Sequence, residues 1–277
     1  MIGPLAYIGG KRRIANSLVS LIPEHITYVE PFAGGAQLFF HKPRSKVEVL
    51  NDLDNEIVNF LKVCQRHPQE LSRLLRWQPA SRRMFEWHQQ QPLDMLTDIE
   101  RAARFFYLQK NAWSGKRTRQ NFHFAVIKPS GYNPAAVRKR LTDAAARLDR
   151  VQIEASPYQD ILRRYDRPTT FFYCDPPYVG VDLYQHNFTD EQFQGLARQL
   201  SSIKGRFLLS INDCPKAREW FGGFHRLEIS FTYTSVRTPG QFPELLFANY
   251  PLPSTLTPPL LVDSTAPTPS QDLSHVA

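Results

Sequence analysis

The sequence predicts an α/β fold: a parallel sheet flanked by helices, interrupted by a helical insert. Two observations carry this. Strand–turn–helix units recur at the start of the chain and resume after residue 150, whereas residues 62–150 change to helical segments joined by loops. The middle third is also the only strongly basic one. Residues 62–150 have a net charge of +11, against 0 for 1–61 and −3 for 151–277. With 42% hydrophobic and 22% charged residues, the 277-residue chain has the composition of a globular protein with a substantial core.

The elements follow in order. "ITYVEPFAGGAQLFFHK" (26–42) reads as strand, glycine turn and helix, and "KVEVLNDLDNEIVNFLKV" (46–63) repeats the plan with an acidic turn. "DMLTDIERAARFFYLQK" (94–110) has helical periodicity. "NPAAVRKRLTDAAARLDRVQI" (133–153) starts a helix with Asn133 as N-cap and Pro134 in its first turn. After the insert, "TTFFYCDPPY" is a buried strand and turn. "FTDEQFQGLARQLSSI" is a helix whose Thr189 and Gln192 fit a capping box, and "GRFLLSIND" is a further strand. "EISFTYTSVR" and "ELLFANY" read as a closing pair. Beyond Pro251 the chain is rich in Pro, Ser and Thr, so 251–277 is expected to be a disordered tail whose removal changes little. The expected organisation is a discontinuous domain of 1–61 and 151–250 around an insert of 62–150.

No apolar run approaches membrane-spanning length and the N-terminus lacks a signal-peptide pattern. Three widely spaced cysteines form no metal or redox pair. A cytoplasmic protein with no metal and no membrane partner is expected. The segregated positive charge points to a polyanion-binding module set into a neutral domain.

Three features bear on chemistry. The turn of "VEPFAGGA" sits where nucleotide-like cofactors lie in such folds, but the G-x-G-x-x-G fingerprint for a pyrophosphate is absent. A cofactor without phosphates, such as S-adenosylmethionine, does not need it. Asp52 ends the next strand 18 residues after Gly34, near the spacing at which an acid accepts from ribose hydroxyls. In "DPPY", the Asp175 carboxylate and the Pro176 carbonyl can both accept hydrogen bonds from an exocyclic amino group, which draws its nitrogen towards tetrahedral geometry. Pro176 and Pro177 fix the backbone and remove competing N–H donors. Asp175 stabilises the positive charge that forms on the nitrogen, and the Tyr178 ring offers a stacking face for an extruded base. In the insert loop "NAWSGKRTRQNFHF", Trp113, Lys116, Arg117, Arg119 and Asn121 have the chemistry for stacking, phosphate and base-edge contacts with double-stranded DNA. Replacing Arg117 and Arg119 there is expected to leave cofactor binding untouched.

Together "YIGGK" (7–11), "VEPFAGGA", "LNDLDNEIVNF", "DPPY" and "DLYQHNFTDEQFQGLARQL" resemble, in content and order, the Dam-type DNA adenine-N6 methyltransferases and their phage-borne relatives. The resemblance spans nearly 4–250. It implies a Rossmann-like S-adenosylmethionine-dependent methyltransferase domain with a helical target-recognition insert. It also implies that Tyr7, Lys11, Asp52 and Asp175 contact the cofactor, with Glu30 and Gly34 lining the same pocket. Position 7 is Tyr where many relatives have Trp. The insert loop matches that of GATC-reading members only loosely, so the resemblance gives no recognition sequence. The expected enzyme is a monomer of a bacterial or phage-infected cell, with a cognate restriction endonuclease as candidate partner. Two rivals stand beside it. Cytosine-N4 methylation would usually place Ser at 175, and a non-catalytic DNA-binding protein would not require an intact acid, glycine turn and DPPY.

Overall fold

The computed structural model describes residues 3–5, 11, 14–113, 117–124, 130–181, 185–233 and 240–256, of which 230–233 and 240–242 without side chains. Seven strands form one sheet: β1 (Thr27–Glu30), β2 (Val47–Asn51), β3 (Gln152–Glu154), β4 (Thr170–Cys174), β5 (Arg206–Asn212), β6 (His225–Tyr233) and β7 (Gly240–Ala248). Their order is β3-β2-β1-β4-β5-β7-β6. The first five are parallel, and β7 lies antiparallel between β5 and β6. The α/β class and the closing antiparallel pair agree with the sequence. The three-residue β3 falls inside the run read as the end of a helix, because so short a strand has no period of its own.

Strand alternation divides the core between two faces. β4 is buried throughout. Its Phe171 and Tyr173 join one cluster with Tyr28 of β1 and Leu208 of β5, while Phe172 and Cys174 join another with Val29, Phe207 and Leu209. The second face is covered by α8 (Tyr158–Tyr165), α9 (Asp190–Ser202) and α10 (Pro215–Trp220). Thr189 and Gln192 cap α9 in the predicted box. Cys174 is buried packing material, its thiol pushed far above its ordinary range by desolvation.

The first face carries α1 (Ala15–Val19), α2 (Gln37–His41) and α3 (Asn55–Arg66). It also carries α4 (Pro68–Leu75), α5 (Arg82–Gln90), α6 (Asp98–Asn111) and α7 (Pro134–Leu148), the last capped by Asn133 as expected. The insert has no core of its own. Phe105, Phe106, Tyr132 and Leu141 belong to the same cluster as Tyr28 and Leu50 of the sheet. The expected boundary at residue 62 falls inside α3, whose Phe60 stacks on Phe106 of α6 at 5.7 Å. Arg147 of α7 reaches back to Glu48 of β2 (2.5 and 2.8 Å) and covers the Phe39 ring. A buried ion pair of this kind fixes where two elements sit more than it adds net stability.

The start of the expected tail is also corrected. Leu252 and Leu256 pack on the first-face core, and Tyr250 donates to the Leu21 carbonyl (3.0 Å). Leucines spaced among prolines escape a composition reading. Replacing Leu252 and Leu256 together by Ser is therefore expected to destabilise the protein by about 1–3 kcal/mol. A melting temperature equal to that of the unaltered chain would show that these side chains do not complete the core.

Candidate active site

The chain leaves β1 towards β2 and leaves β4 towards β5, on opposite sides of the sheet. β1 and β4 are nonetheless neighbours. At such a reversal the loops diverge and open a crevice beyond the carboxyl ends of the strands. Here it is a cavity of about 290 Å³, lined among others by Glu30, Gly34, Asp52 and Asp175.

The glycine turn is shaped by its backbone. Gly34 and Ala36 both have positive φ (48° and 47°), a conformation glycine adopts freely and alanine does not. Asn51 at the end of β2 pins this turn by donating to the Pro31 carbonyl (2.8 Å). It also joins the turn to the start of α8 through both the N–H and the carbonyl of Ser156. The Gly34 N–H donates to Asp52 Oδ2 (2.8 Å), and the Asp54 N–H to Oδ1 (2.9 Å). Asp52 thus holds the turn and keeps lone pairs for a ligand. Glu30 accepts from the Tyr28 hydroxyl (2.7 Å) and the Phe39 N–H (2.9 Å).

Asp175 follows the last residue of β4. Lys11 Nζ lies 3.1 Å from its Oδ1, as an ion pair without hydrogen-bond geometry. The same ammonium is 3.2 Å from Glu244 Oε1 and bonds the Tyr178 hydroxyl. Tyr178 in turn donates to Glu244, which also accepts from Ser210 (3.1 Å). One ammonium thus ties together the N-terminal segment, the DPPY turn and β7. The backbone after the motif is fixed by Asn212 of β5, which bonds both the N–H and the carbonyl of Val179. Gly180, at φ +74°, completes the turn that Val181 closes on the Tyr178 carbonyl. The Pro176 carbonyl accepts no hydrogen bond among the described residues and is available to a ligand.

Desolvation sets the electrostatics. It pushes Glu30 up to about 8, against the bonds from Tyr28 and Phe39. It pushes Asp52 up to about 6, against the Asp54 and Gly34 N–H bonds. It also pushes Asp175 up to about 6, with Lys11 opposing and Glu244 adding to the rise. A cavity with three carboxyls raised in this way favours a bound positive charge and disfavours a phosphate. The Tyr173 hydroxyl, also in the lining, is buried with no partner among the described residues. The far wall is aromatic: Phe32, Tyr158 and Phe188 lie in mutual contact, with centroids 5.3–5.7 Å apart. A ligand with a flat ring, hydroxyls and a cationic centre fits this lining.

The predicted cofactor and catalytic residues Lys11, Glu30, Gly34, Asp52, Asp175, Pro176, Pro177 and Tyr178 are therefore brought together around one cavity. Tyr7 and Lys116 lie outside the described residues. Sequence reasoning missed Glu244, Ser210, Asn212, Asn51 and the aromatic wall. Only Phe32, beside the glycine turn, carried a local signal. In the insert loop, Ala112 and Phe122 form an isolated antiparallel bridge, and Trp113, Arg119 and Asn121 are exposed. Arg117 departs from expectation. Its guanidinium bonds Asp54, with Nη2 3.1 Å from Oδ1, and only 17% of its side chain is exposed. The placement arises because Asp54 caps α3 directly beneath the loop.

The model of the D12 class N6 adenine-specific DNA methyltransferase family matches residues 7–235. The type II methyltransferase M1.LlaDCHI of Lactococcus lactis subsp. cremoris is 26% identical over 269 residues, covering 88% of this chain and 94% of that protein. The type II methyltransferase M.CviBI of Paramecium bursaria Chlorella virus NC1A is 26% identical over 235 residues (81% and 88%). The DNA adenine methylase of Escherichia coli (strain K12) is 24% identical over 233 residues (78% and 83%).

Glu244 gives the geometry a direct test. Glu244→Gln keeps the shape but removes a negative charge that faces Asp175 together with Lys11, Tyr173 and Tyr178. Loosening Lys11 and Tyr178 is expected to lower methyl transfer at pH 8 by roughly 10–100-fold. Removing the charge lowers the Asp175 pKa, so a pH profile governed by Asp175 should shift its acid limb to lower pH. An unchanged limb, followed from pH 5 to 9, would mean that Glu244 does not act on Asp175.

Proposed function

The chain belongs to the D12 class of N6 adenine-specific DNA methyltransferases, and from that premise we propose that its cavity binds S-adenosylmethionine and presents a flipped adenine to Asp175. One observation carries the reading: three desolvated carboxyls, Glu30, Asp52 and Asp175, meet in one cavity at the β1/β4 reversal. The lining suits a cofactor that holds a sulfonium and an ammonium and no phosphate. Bound there, S-adenosylmethionine supplies an activated methyl group with a neutral thioether as its leaving group.

The chain's own residues do the rest. Asp52, fixed by two backbone N–H groups, offers its remaining lone pairs to the ribose hydroxyls. Phe32, Tyr158 and Phe188 supply the apolar face for the adenosine ring. Glu30 lies where a cationic centre would favour its ionised form. Tyr7 and Lys11 are assigned to the cofactor side on the family resemblance, and Lys11 also holds Asp175 and Tyr178.

Above pH 6 Asp175 is ionised and accepts one N6–H, while the Pro176 carbonyl accepts the other. Holding both hydrogens concentrates the nitrogen lone pair towards the incoming methyl. As the nitrogen becomes cationic, the Asp175 carboxylate stabilises it in a site shielded from water. A carboxylate with a pKa near 6 can then take the surplus proton on one oxygen and release it to water at the cavity mouth. Only 24% of the Asp175 side chain is exposed, so a base stacked within a duplex does not reach it. Base flipping follows, with the Tyr178 ring as stacking surface.

Double-stranded DNA lies along the basic insert, with Trp113, Arg119 and Asn121 contacting it from the exposed loop and Lys116 assigned to the same role by position. One copy of the chain carries every group named here, which supports a monomer, and the bacterial sources of two relatives suit the cytoplasm of a bacterial or phage-infected cell. The type II names of two relatives make a cognate restriction endonuclease the partner to seek.

Asp175→Ala is expected to lower methyl transfer from labelled cofactor by at least about 10²–10³-fold, with the melting temperature and DNA affinity retained. Near-normal turnover in this variant would sink the catalytic assignment. In the unaltered enzyme at saturating cofactor, turnover should fall about tenfold per pH unit below about 6, as Asp175 gains the proton that blocks its acceptor role. Arg119→Ala should flatten the salt dependence of DNA affinity by about one charge unit, equally for all duplexes. A relaxed sequence preference would instead assign Arg119 to a base edge.

A further inference from the structure

We propose that Arg117, on the recognition loop of the insert, is a positioning residue of the cofactor site. The inference rests on the reading of the cavity as the S-adenosylmethionine site. Three consecutive contacts support it, from Arg117 to Asp54, from Asp54 to Asp52 and from Asp52 to Gly34. The Arg117 guanidinium bonds Asp54 through two nitrogens and lies 5.2 Å from the Phe105 ring centre, a ring that itself packs on Phe60 of α3. Asp54 is the N-cap of α3, its side chain accepting from the Glu56 N–H (3.0 Å). The backbone N–H of that same Asp54 donates to Asp52 Oδ1, and Asp52 Oδ2 accepts from the Gly34 N–H. A guanidinium supplied by the insert therefore orients the residue that orients the ribose acid and, through it, the glycine turn.

The electrostatics run the same way. The Asp54 carboxylate is 6% exposed, and its negative charge opposes ionisation of Asp52. Arg117 offsets that charge. Without it, the Asp54 carboxylate is left buried with no cation beside it, and turning it towards water releases the cap whose backbone N–H holds Asp52. A planar, two-pronged cation is needed here, because an ammonium cannot reach both oxygens in one plane. This reverses the expectation that the loop arginines are indifferent to the cofactor.

The test is cofactor affinity in the absence of DNA, measured by titration calorimetry with S-adenosylmethionine. Arg117→Ala should weaken binding about tenfold or more, and Arg117→Lys should restore only part of the loss. Asp54→Asn keeps the cap but removes the charge that Arg117 serves. Adding Arg117→Ala to it should therefore weaken binding by much less than the same change does in the unaltered protein. The Lys and Asn variants keep the proposal testable if Arg117→Ala fails to fold. Unchanged affinity in folded Arg117→Ala or Arg117→Lys would overturn the proposal. If the salt slope of DNA binding fell by about one unit at the same time, Arg117 would be a phosphate contact instead. Failure of the unaltered protein to bind S-adenosylmethionine would sink the reading of the cavity rather than the role of Arg117.

Discussion

A single ammonium group governs the reactive end of this sheet. Lys11 Nζ is almost wholly withdrawn from water and touches Asp175, Tyr178 and Glu244, which come from two segments far from it along the chain. A buried charge persists only where its partners surround it, and each partner depends on it in turn. The arithmetic of the cluster also bears on chemistry. One cation stands between two carboxylates and cannot balance both. The residual negative charge sits at the cavity, beside the DPPY turn. Burial above all, with the Glu244 charge adding to it, holds Asp175 at about 6 against the pull of Lys11.

The position of that cluster follows from topology. β4 is buried on both faces, which requires an unbroken apolar run, and the run ends abruptly at Asp175. Its neighbour β1 ends at Glu30, and β2 ends beside Asp52. Parallel neighbours bring three acids to one edge of the sheet, and the reversal of chain direction between β1 and β4 leaves that edge uncovered. The antiparallel β7 then inserts beside β5 and brings Glu244 to the same edge from the far end of the chain. Each carboxyl is held by backbone N–H groups, hydroxyls or Lys11, yet desolvation still raises all three. Such an arrangement stores unfavourable energy that a cationic ligand relieves.

The basic insert is not an appended module. Its helices share the hydrophobic cluster of the sheet, and three of its arginines, Arg101, Arg117 and Arg147, reach carboxylates of β2, the β2–α3 turn or α3. Part of the positive charge that marks the segment in the sequence is therefore spent on fastening it to the catalytic half. Trp113, Arg119 and Asn121 lie exposed on the loop of the same segment. The insert and the cavity-bearing half are parts of one continuous packed body.

The residues of the sequence alone determined the α/β class, the glycine turn, the acid Asp52 just after β2 and the DPPY turn after β4. These are signals whose information is local: apolar periodicity, a turn that needs positive φ, and an acid directly after a buried strand. The caps at Asn133 and Thr189 were legible for the same reason, since a cap involves only the next three residues. Only the tertiary structure decided that Glu244 and Ser210 back the DPPY turn, that Asn51 pins the glycine turn and Asn212 the backbone after DPPY, and that Phe32, Tyr158 and Phe188 form one wall. In the linear chain Glu244 is an acid in an apolar strand, 66 residues from Tyr178. Arg117 shows the limit most clearly. Its chemistry as a bidentate cation was readable, but its partner was not, because a guanidinium on a loop serves a phosphate or a carboxylate equally well. Which of them it meets depends on the fold that brings Asp54 beneath the loop.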